Sequence, residues 1–348
     1  MHWLEQYWYR VSPLHLLLWP VSLLFGVLAA LRRQLYRCGL LPVTRLPVRV
    51  IVVGNISIGG TGKTPLVIRL AEWLRERGFK PGIVCRGYGG STRIPRHAAA
   101  DGDPRLLGDE AVLLARRSGC PVWVGRRRAI AARALLVANP DCDVIISDDG
   151  LQHYALARDI AILVIDGERG FGNGMLLPAG PLREPLRGLA HVDALVINGA
   201  ALFPRETLPA EVPAFDMNVG GRTFYDLMNP QQQAGPEHFA RQRVHAIAAI
   251  GNPQRFFNYL RELGISFVAH PFRDHHAFEA VDFAFEDSDT VIMTEKDAIK
   301  CERYYNENFW VLRVDAEIDP AYAPAGVQLA CRDRNCCGRC SALVCPRG

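Results

Sequence analysis

Val48-Arg49-Val50-Ile51-Val52-Val53-Gly54-Asn55-Ile56-Ser57-Ile58-Gly59-Gly60-Thr61-Gly62-Lys63-Thr64-Pro65 decides the fold. The β-branched run up to Val53 has the composition of a buried strand. From Thr64 to Arg77, Leu66, Leu70, Trp73 and Leu74 recur at helical spacing, and Gly78 ends the helix. A glycine-rich turn between such a strand and helix aims backbone N–H groups and the helix N-terminus at phosphates. Asn55, Ser57, Ile58, Gly59, Gly60, Thr61, Gly62, Lys63, Thr64 and Pro65 form this candidate nucleotide cradle. Lys63 is placed to reach the β/γ-phosphates and the Thr64 hydroxyl to bind Mg²⁺. The first Gly of the G-x-x-x-x-G-K-[ST] pattern is Ser57 here, and the remaining glycines keep the loop permissive.

Downstream, Ile145-Ile146-Ser147-Asp148-Asp149-Gly150 ends an apolar strand in two carboxylates. That placement matches the acidic element that holds Mg²⁺ in P-loop enzymes, so Thr64, Asp148 and Asp149 are the expected metal ligands. The competing reading is an ordinary Asp-Gly turn. Gln152 and His153 follow and are expected on the same edge.

Strands and helices alternate around these two elements. Further strands are expected at 81–85, 122–124, 143–147, 160–165 and 194–197, with helices at 110–117 and 128–138. That alternation predicts an α/β fold, a P-loop NTPase-like parallel sheet with helices on both faces. Between Phe203 and Phe239 the pattern falters and a hinge or linker is expected. Alternation then resumes as strand 244–250, helix 253–263, strand 265–269, helix 278–285 and strands 290–293 and 310–314, a second, smaller α/β domain. The expected division is 1–40 for a membrane-associated N-terminal helix, 41–220 for the P-loop core, 221–330 for the second domain and 331–348 for a disordered tail.

The 348 residues are 49% hydrophobic and 22% charged, which excludes a disordered chain, a collagen-like repeat and a coiled-coil rod. A net charge of +4 gives no reason to expect a nucleic-acid partner. Cys38, Cys85, Cys120, Cys142 and Cys301 are scattered and read as reduced thiols. Cys331, Cys336, Cys337, Cys340 and Cys345 crowd the end; their irregular spacing and the lack of His argue against a zinc site.

The N-terminus is the remaining departure from a soluble pattern. No residue from Val11 to Leu31 carries a permanent charge, and as a helix this run would reach about 31 Å, the depth of a bilayer core. Trp3, Tyr7, Trp8, Tyr9 and Trp19 supply interfacial aromatics, and Arg32, Arg33 and Arg37 follow at once. A signal peptide fits poorly, because Trp, Tyr and Glu5 crowd its start. A buried helix of a soluble protein is the plain alternative. Membrane attachment is the expectation, with Pro20 making a shallow or kinked insertion as reasonable as a full crossing. The Arg cluster puts the rest of the chain at the cytoplasmic face of the inner membrane.

Arg86-Gly87-Tyr88-Gly89, Gly108-Asp109-Glu110, Asp148-Asp149-Gly150-Leu151-Gln152-His153, Pro178-Ala179-Gly180-Pro181-Leu182-Arg183-Glu184-Pro185 and Thr294-Glu295-Lys296-Asp297 stand in that order along the chain. With the cradle and the apolar N-terminus, over roughly residues 1 to 320, the chain resembles the tetraacyldisaccharide 4′-kinase family of lipid A biosynthesis. The resemblance implies transfer of the ATP γ-phosphoryl group, with Mg²⁺, to the 4′-hydroxyl of a tetraacyldisaccharide 1-phosphate, giving lipid IVA. It implies a membrane-surface enzyme with two α/β domains closing round the site. It also implies Asp109 as the catalytic aspartate, paired with a histidine of the second domain, here His275 of Asp274-His275-His276. A positioned base suits a sugar hydroxyl, which is a poor nucleophile. Which of the pair takes the proton stays open.

Arg86 and Arg128 are cations near strand ends, suited to phosphate charge. Arg128 reads equally as part of a solvated patch with Arg126 and Arg127, one able to meet a phosphate or anionic lipid. Glu184 matches an acidic position of the family. Lys296 and Asp297 read as a hinge ion pair or a wall of the site. A membrane-targeted P-loop ATPase would share the cradle without needing Asp109 or His275. A guanine-nucleotide switch lacks its Asn-Lys-x-Asp run, and a non-enzymatic adaptor leaves Lys63, Thr64 and Asp148 unexplained.

Overall fold

The structure, a computed structural model, describes residues 7–9, 13–286, 289–304 and 308–318. The cysteine-rich tail expected to be disordered lies outside the described residues; the five scattered cysteines are free thiols. The chain opens with α1 (Leu14–Arg37), followed by β1 (Arg49–Gly54), α2 (Lys63–Glu76), β2 (Pro81–Cys85) and β3 (Arg96–Ala98). The short α3 (Pro104–Leu107), α4 (Asp109–Ser118), β4 (Val122–Val124), α5 (Arg128–Ala138), β5 (Val144–Asp148), β6 (Ile160–Asp166), β7 (Ala194–Asn198) and β8 (Ala214–Gly220) come next. Then come β9 (Phe224–Asp226), β10 (Gln233–Ala234), β11 (Val244–Ala248), α6 (Pro253–Glu262) and β12 (Val268–Pro271). The last are β13 (Thr290–Thr294), α7 (Glu295–Cys301), β14 (Phe309–Leu312) and β15 (Asp315–Ile318).

Two sheets result. The first has nine strands in the order β15-β8-β7-β6-β1-β5-β2-β4-β3, parallel except at the two edges. β1 sits centrally between β5 and β6. Its side chains alternate: Ile51 and Val53 pack with Leu66, Leu70 and Leu74 of α2 and Leu114 of α4, while Val50 and Val52 pack with Ala131 and Leu135 of α5. A strand covered on both faces must be apolar throughout, which is why β1, β5 and β6 read as unbroken runs. The second sheet has six strands in the order β10-β9-β14-β13-β11-β12. Phe256, Phe257 and Leu260 of α6 cover one face, and Phe278 with Ala298 and Cys301 of α7 the other.

Three sequence expectations change. The supposed linker holds β8, which pairs in parallel with β7 and buries Phe215 and Met217 between exposed Asp216 and Asn218. An alternating strand near a sheet edge has no continuous apolar run to reveal it. The strand expected at 265–269 is β12, shifted to Val268–Pro271, and the helix expected at 278–285 is only a 3₁₀ turn, Ala280–Phe283. In addition, β15 returns to the first sheet, antiparallel to β8.

α1 is one continuous helix through Pro20. It is the one described helix long and apolar enough to cross a membrane. It touches the rest of the chain at a few points along one side, with only His15 and Ser22 buried among its described residues. Ser22 Oγ accepts from the Ala179 amide at 2.9 Å, and an added Cβ on Gly26 would stand 2.7 Å from Leu176. Near its C-terminal end Arg32 donates to the Gln152 carbonyl and Tyr36 packs on Tyr154. Leu16, Leu17, Leu24, Val27, Leu28 and Leu31 point away from the protein.

Candidate active site

The cradle follows β1 as the sequence order requires, and its shape explains the missing glycine. Ile58 N–H donates to the Pro181 carbonyl at 2.9 Å, and Arg183 N–H donates to the Ile56 carbonyl at 2.6 Å. Ser57 is therefore held in an extended bridge with Leu182, a conformation that does not need glycine. Gly62 is different. Its φ is +87°, and an added Cβ would fall 2.3 Å from Asn198 Nδ2, which donates to the Thr61 carbonyl. Only glycine fits there. Lys63 and Thr64 then open α2.

β5 lies beside β1 with Val53 opposite Asp148, so the acidic pair emerges next to the cradle. Asp149 lies 3.6 Å from Lys63 Nζ and 3.1 Å from Arg183 Nη1. These cations overcome burial and hold its carboxyl below the usual range. Asp148 is 2% exposed, and burial, reinforced by Glu110, pushes its carboxyl up to about 7. Asp148 Oδ1, Thr61 Oγ1 and Asn55 Oδ1 are buried without hydrogen-bond partners. Unsatisfied buried acceptors concentrated at one loop mark a place built for a ligand or cation.

Arg128 separates from its neighbours. Arg126 and Arg127 are exposed, whereas Arg128 is buried and its Nη2 donates to the Asp148 carbonyl at 3.3 Å and approaches that of Asp149 at 3.5 Å. It props the exit of β5, so the solvated-patch reading fails for this residue. Arg86 is exposed just past β2. Gln152 donates to the Asn55 carbonyl at 3.0 Å, and burial drives the His153 imidazole down to about 4. Glu184 is not drawn into this cluster. It accepts from the Tyr154 hydroxyl at 2.9 Å, in a cavity of about 230 Å³ under α1 that also holds Arg33, Arg37, Arg158 and His191.

Asp109 and His275, 166 residues apart, meet: the ring Nδ1 lies 3.1 Å from Asp109 Oδ2. Asp109 opens α4 after Gly108, whose φ is +91° and whose Cβ, if present, would strike the Tyr88 carbonyl at 2.5 Å. That close approach links the Arg86–Gly89 segment to the Gly108–Glu110 segment. His275 itself has φ +58°, and Asp149 +47°; they are the non-glycine residues in the left-handed region among those described. Backbone strain of this kind, on the order of 1 kcal/mol each, collects at functional sites. The pair stands near the cradle, because Gly251 lies against both Gly60 and Asp274.

Lys296 Nζ lies 3.2 Å from Glu110, 3.5 Å from His275 Nε2, 3.6 Å from Asp274 and 4.0 Å from Asp109. Asp297 points inward instead and accepts from the Ala249 amide at 3.0 Å, fixing the loop that leads from β11. The sequence assigned no role to Arg183, Asn198 or Arg255, which donates to Asn198 at 2.9 Å between the two units. Their partners are distant in sequence, and no local pattern announces them.

A loop of this shape after the central strand of a parallel sheet, with acidic residues on the adjacent strand, defines the P-loop class of α/β enzymes. The family model described as Tetraacyldisaccharide-1-P 4′-kinase matches residues 14–329. Curated relatives named tetraacyldisaccharide 4′-kinase include one from Methylobacillus flagellatus, 50% identical over 92% of this chain and 93% of its own. Another, from Azoarcus sp., is 51% identical over 90% of this chain and 91% of its own. The solved structure of LpxK from Aquifex aeolicus in complex with ATP superposes with a TM-score of 0.76 at 29% identity, covering 91% of this chain and 99% of that one. The chain belongs to the tetraacyldisaccharide 4′-kinase family and is a kinase of lipid A biosynthesis.

Proposed function

We propose that this kinase transfers the γ-phosphoryl group of ATP to the 4′-hydroxyl of a tetraacyldisaccharide 1-phosphate, with the Asp109–His275 pair receiving the hydroxyl proton. The contact between these two residues, one at the start of α4 and one in the loop after β12, carries the reading. The pair is already in contact at 3.1 Å, so the two units hold the base ready between them, and their enclosure of the site would keep water from the γ-phosphate. The two units follow the 41–220 and 221–330 division, except that β15 returns to pair with β8 in the first sheet.

Each residue has a defined task. The backbone amides from Gly59 to Lys63 and the start of α2 cradle the phosphates, and the Lys63 ammonium balances charge on the transferring group. Arg128 holds the exit of β5, and Arg86 faces the opening with a further cation. Glu184, set beneath α1 beside three arginines, lies where a lipid headgroup would pass. Mg²⁺ fits the donor set of Thr64, Asp148 and Asp149, because Asp148 carries a buried, unpartnered carboxylate oxygen. When bound, it would neutralise phosphate charge and orient the β- and γ-oxygens.

α1 accounts for access to the acyl substrate. One side meets the loop of residues 173–182 through Ser22 and Gly26, and the rest is apolar and exposed, with Leu16 77% and Val27 63% exposed. A helix held to the chain at Ser22, Arg32 and Tyr36 suits a place in the membrane interface rather than a crossing, and Arg32, Arg33 and Arg37 suit anionic headgroups at the cytoplasmic face.

The test is transfer of radiolabel from γ-labelled ATP to tetraacyldisaccharide 1-phosphate in detergent micelles. Label in the lipid that depends on Lys63 and Asp109 is expected. ATP consumption that is indifferent to acceptor would favour the plain ATPase.

A further inference from the structure

Lys296 lies 91 residues beyond Arg205 and far from the cradle in sequence, yet it touches four titratable groups at the centre of the site. Its side chain is 17% exposed. From α4 it faces Asp109 and Glu110; from the loop after β12 it faces Asp274 and His275. On its own helix Asp297 and Lys300 neutralise one another at 2.7 Å. Lys296 is therefore the cation that three carboxylates share. Tying the two units together does not require it. Arg117 already bridges α4 to Glu295 and Asp315, and Arg116 bridges α4 to Glu302.

The hydrogen-bond geometry assigns it a narrower task. An ammonium has donors and no acceptor. The ammonium stands 3.5 Å from His275 Nε2, where it can only meet a lone pair; Asp274 Oδ1, 3.7 Å from the same nitrogen, is itself 3.6 Å from Lys296 Nζ, so the Nδ1–H form that donates to Asp109 is the one that sets no donor against a donor. We propose that Lys296 is a positioning residue for the Asp109–His275 pair, holding the imidazole in its Nδ1–H form and Asp109 as the carboxylate. This rests on the reading of that pair as the proton acceptor. Removing the cation would leave the Asp109 carboxylate facing Glu110 and Asp274 without compensation, and Asp109 would take up a proton at a higher pH. Two further features agree. Burial raises the Asp109 carboxyl, but the His275 hydrogen bond and the Lys296 charge more than offset it. Burial disfavours the Lys296 charge, but Glu110, Asp109 and Asp274 hold its proton well above the ordinary lysine range.

The experiment is the pH dependence of kcat/KM for Lys296→Met and Lys296→Arg, with Arg116→Ala as a control that breaks an inter-unit pair elsewhere. In Lys296→Met the acid limb should move upward by about one pH unit or more, so activity at low pH falls roughly tenfold further than at high pH. Lys296→Arg should keep the acid limb in place. An equal loss for Lys296→Met at every pH, as expected of Arg116→Ala, overturns the proposal. Should Lys296→Met not fold, ¹⁵N NMR of histidine-labelled wild-type protein decides, with His275→Gln assigning the signal. Nδ1 protonated and Nε2 bare supports the assignment; the Nε2–H tautomer refutes it. Failure of the base reading is separately visible, as near-normal kcat in Asp109→Asn.

Discussion

Asp148→Asn should make the metal-free protein more stable while destroying its activity. The Asp148 carboxyl is 2% exposed, and burial, aided by repulsion from Glu110, lifts it from the ordinary 3.8 to about 7 despite the attraction of Lys63. The unfolded chain releases this proton near pH 4, while the folded chain retains it until about pH 7. Between those values the unfolded state binds fewer protons, so stability falls as pH rises, and the penalty is complete above about pH 7. Taken whole, such a shift costs roughly 4 kcal/mol, and relaxation and water penetration around a buried charge bring the expected gain in Asp148→Asn to roughly 2–4 kcal/mol. The assay is urea denaturation of both proteins in chelator, at pH 4.5 and pH 8. The variant should be more stable at pH 8, and the advantage should shrink toward zero at pH 4.5. Adding Mg²⁺ and ATP should restore the wild type's position and leave the variant unmoved. A variant less stable than wild type at pH 8, or a difference that ignores pH, would refute the account of Asp148 as a carboxylate kept costly for a cation.

Lys63→Ala should abolish phosphoryl transfer and, because Lys63 opens α2 and offsets the Asp149 charge at 3.6 Å, lower the thermal unfolding midpoint only modestly; wild-type turnover would remove it from the cradle. Asp109→Asn should lower kcat by roughly 10²–10⁴ with a smaller change in KM, and adding His275→Ala should lower it little further, since the two act as one unit. Losses that multiply in steady-state assays of the double variant would show them to be independent. Leu24→Asp with Leu28→Asp, at sites 59% and 56% exposed, should free the enzyme from sedimenting vesicles without altering its unfolding midpoint; sedimentation unchanged would move the membrane contact elsewhere.

The local elements of the site were legible in the chain. A β-branched run, a glycine-rich turn and a helical repeat are neighbours in sequence, so the strand, cradle and helix from Arg49 to Glu76 could be read directly. The same holds for β5 and its two aspartates, because an apolar run ending in carboxylates announces a buried strand leaving a core. The Asp109–His275 partnership was available only through resemblance to a family. Nothing in the spacing of two residues 166 apart indicates contact.

Amphipathic position proved harder still. The apolar character of α1 was plain from composition, but the docking of its Ser22 face and the outward turn of Leu16, Leu24 and Leu28 depend on a surface built by residues 173–182. β8 was missed because half-burial leaves alternating Asp216 and Asn218 where a central strand would be apolar. Arg128 and Arg126 are two residues apart in an identical run of arginines, yet one is buried and the other exposed, a choice made by the direction of the first turn of α5. By itself the sequence determined the strand, glycine-rich turn and helix from Arg49 to Glu76 and the strand ending in two aspartates, because backbone conformation and strand burial are set by nearest neighbours and by apolar runs. Tertiary structure alone decided which charges meet there: Lys296 among three carboxylates, Arg183 on Asp149, Glu184 turned to Tyr154. Ion pairing depends on distance through space, and the folding of two sheets against each other sets that distance without leaving a trace in the local order of residues.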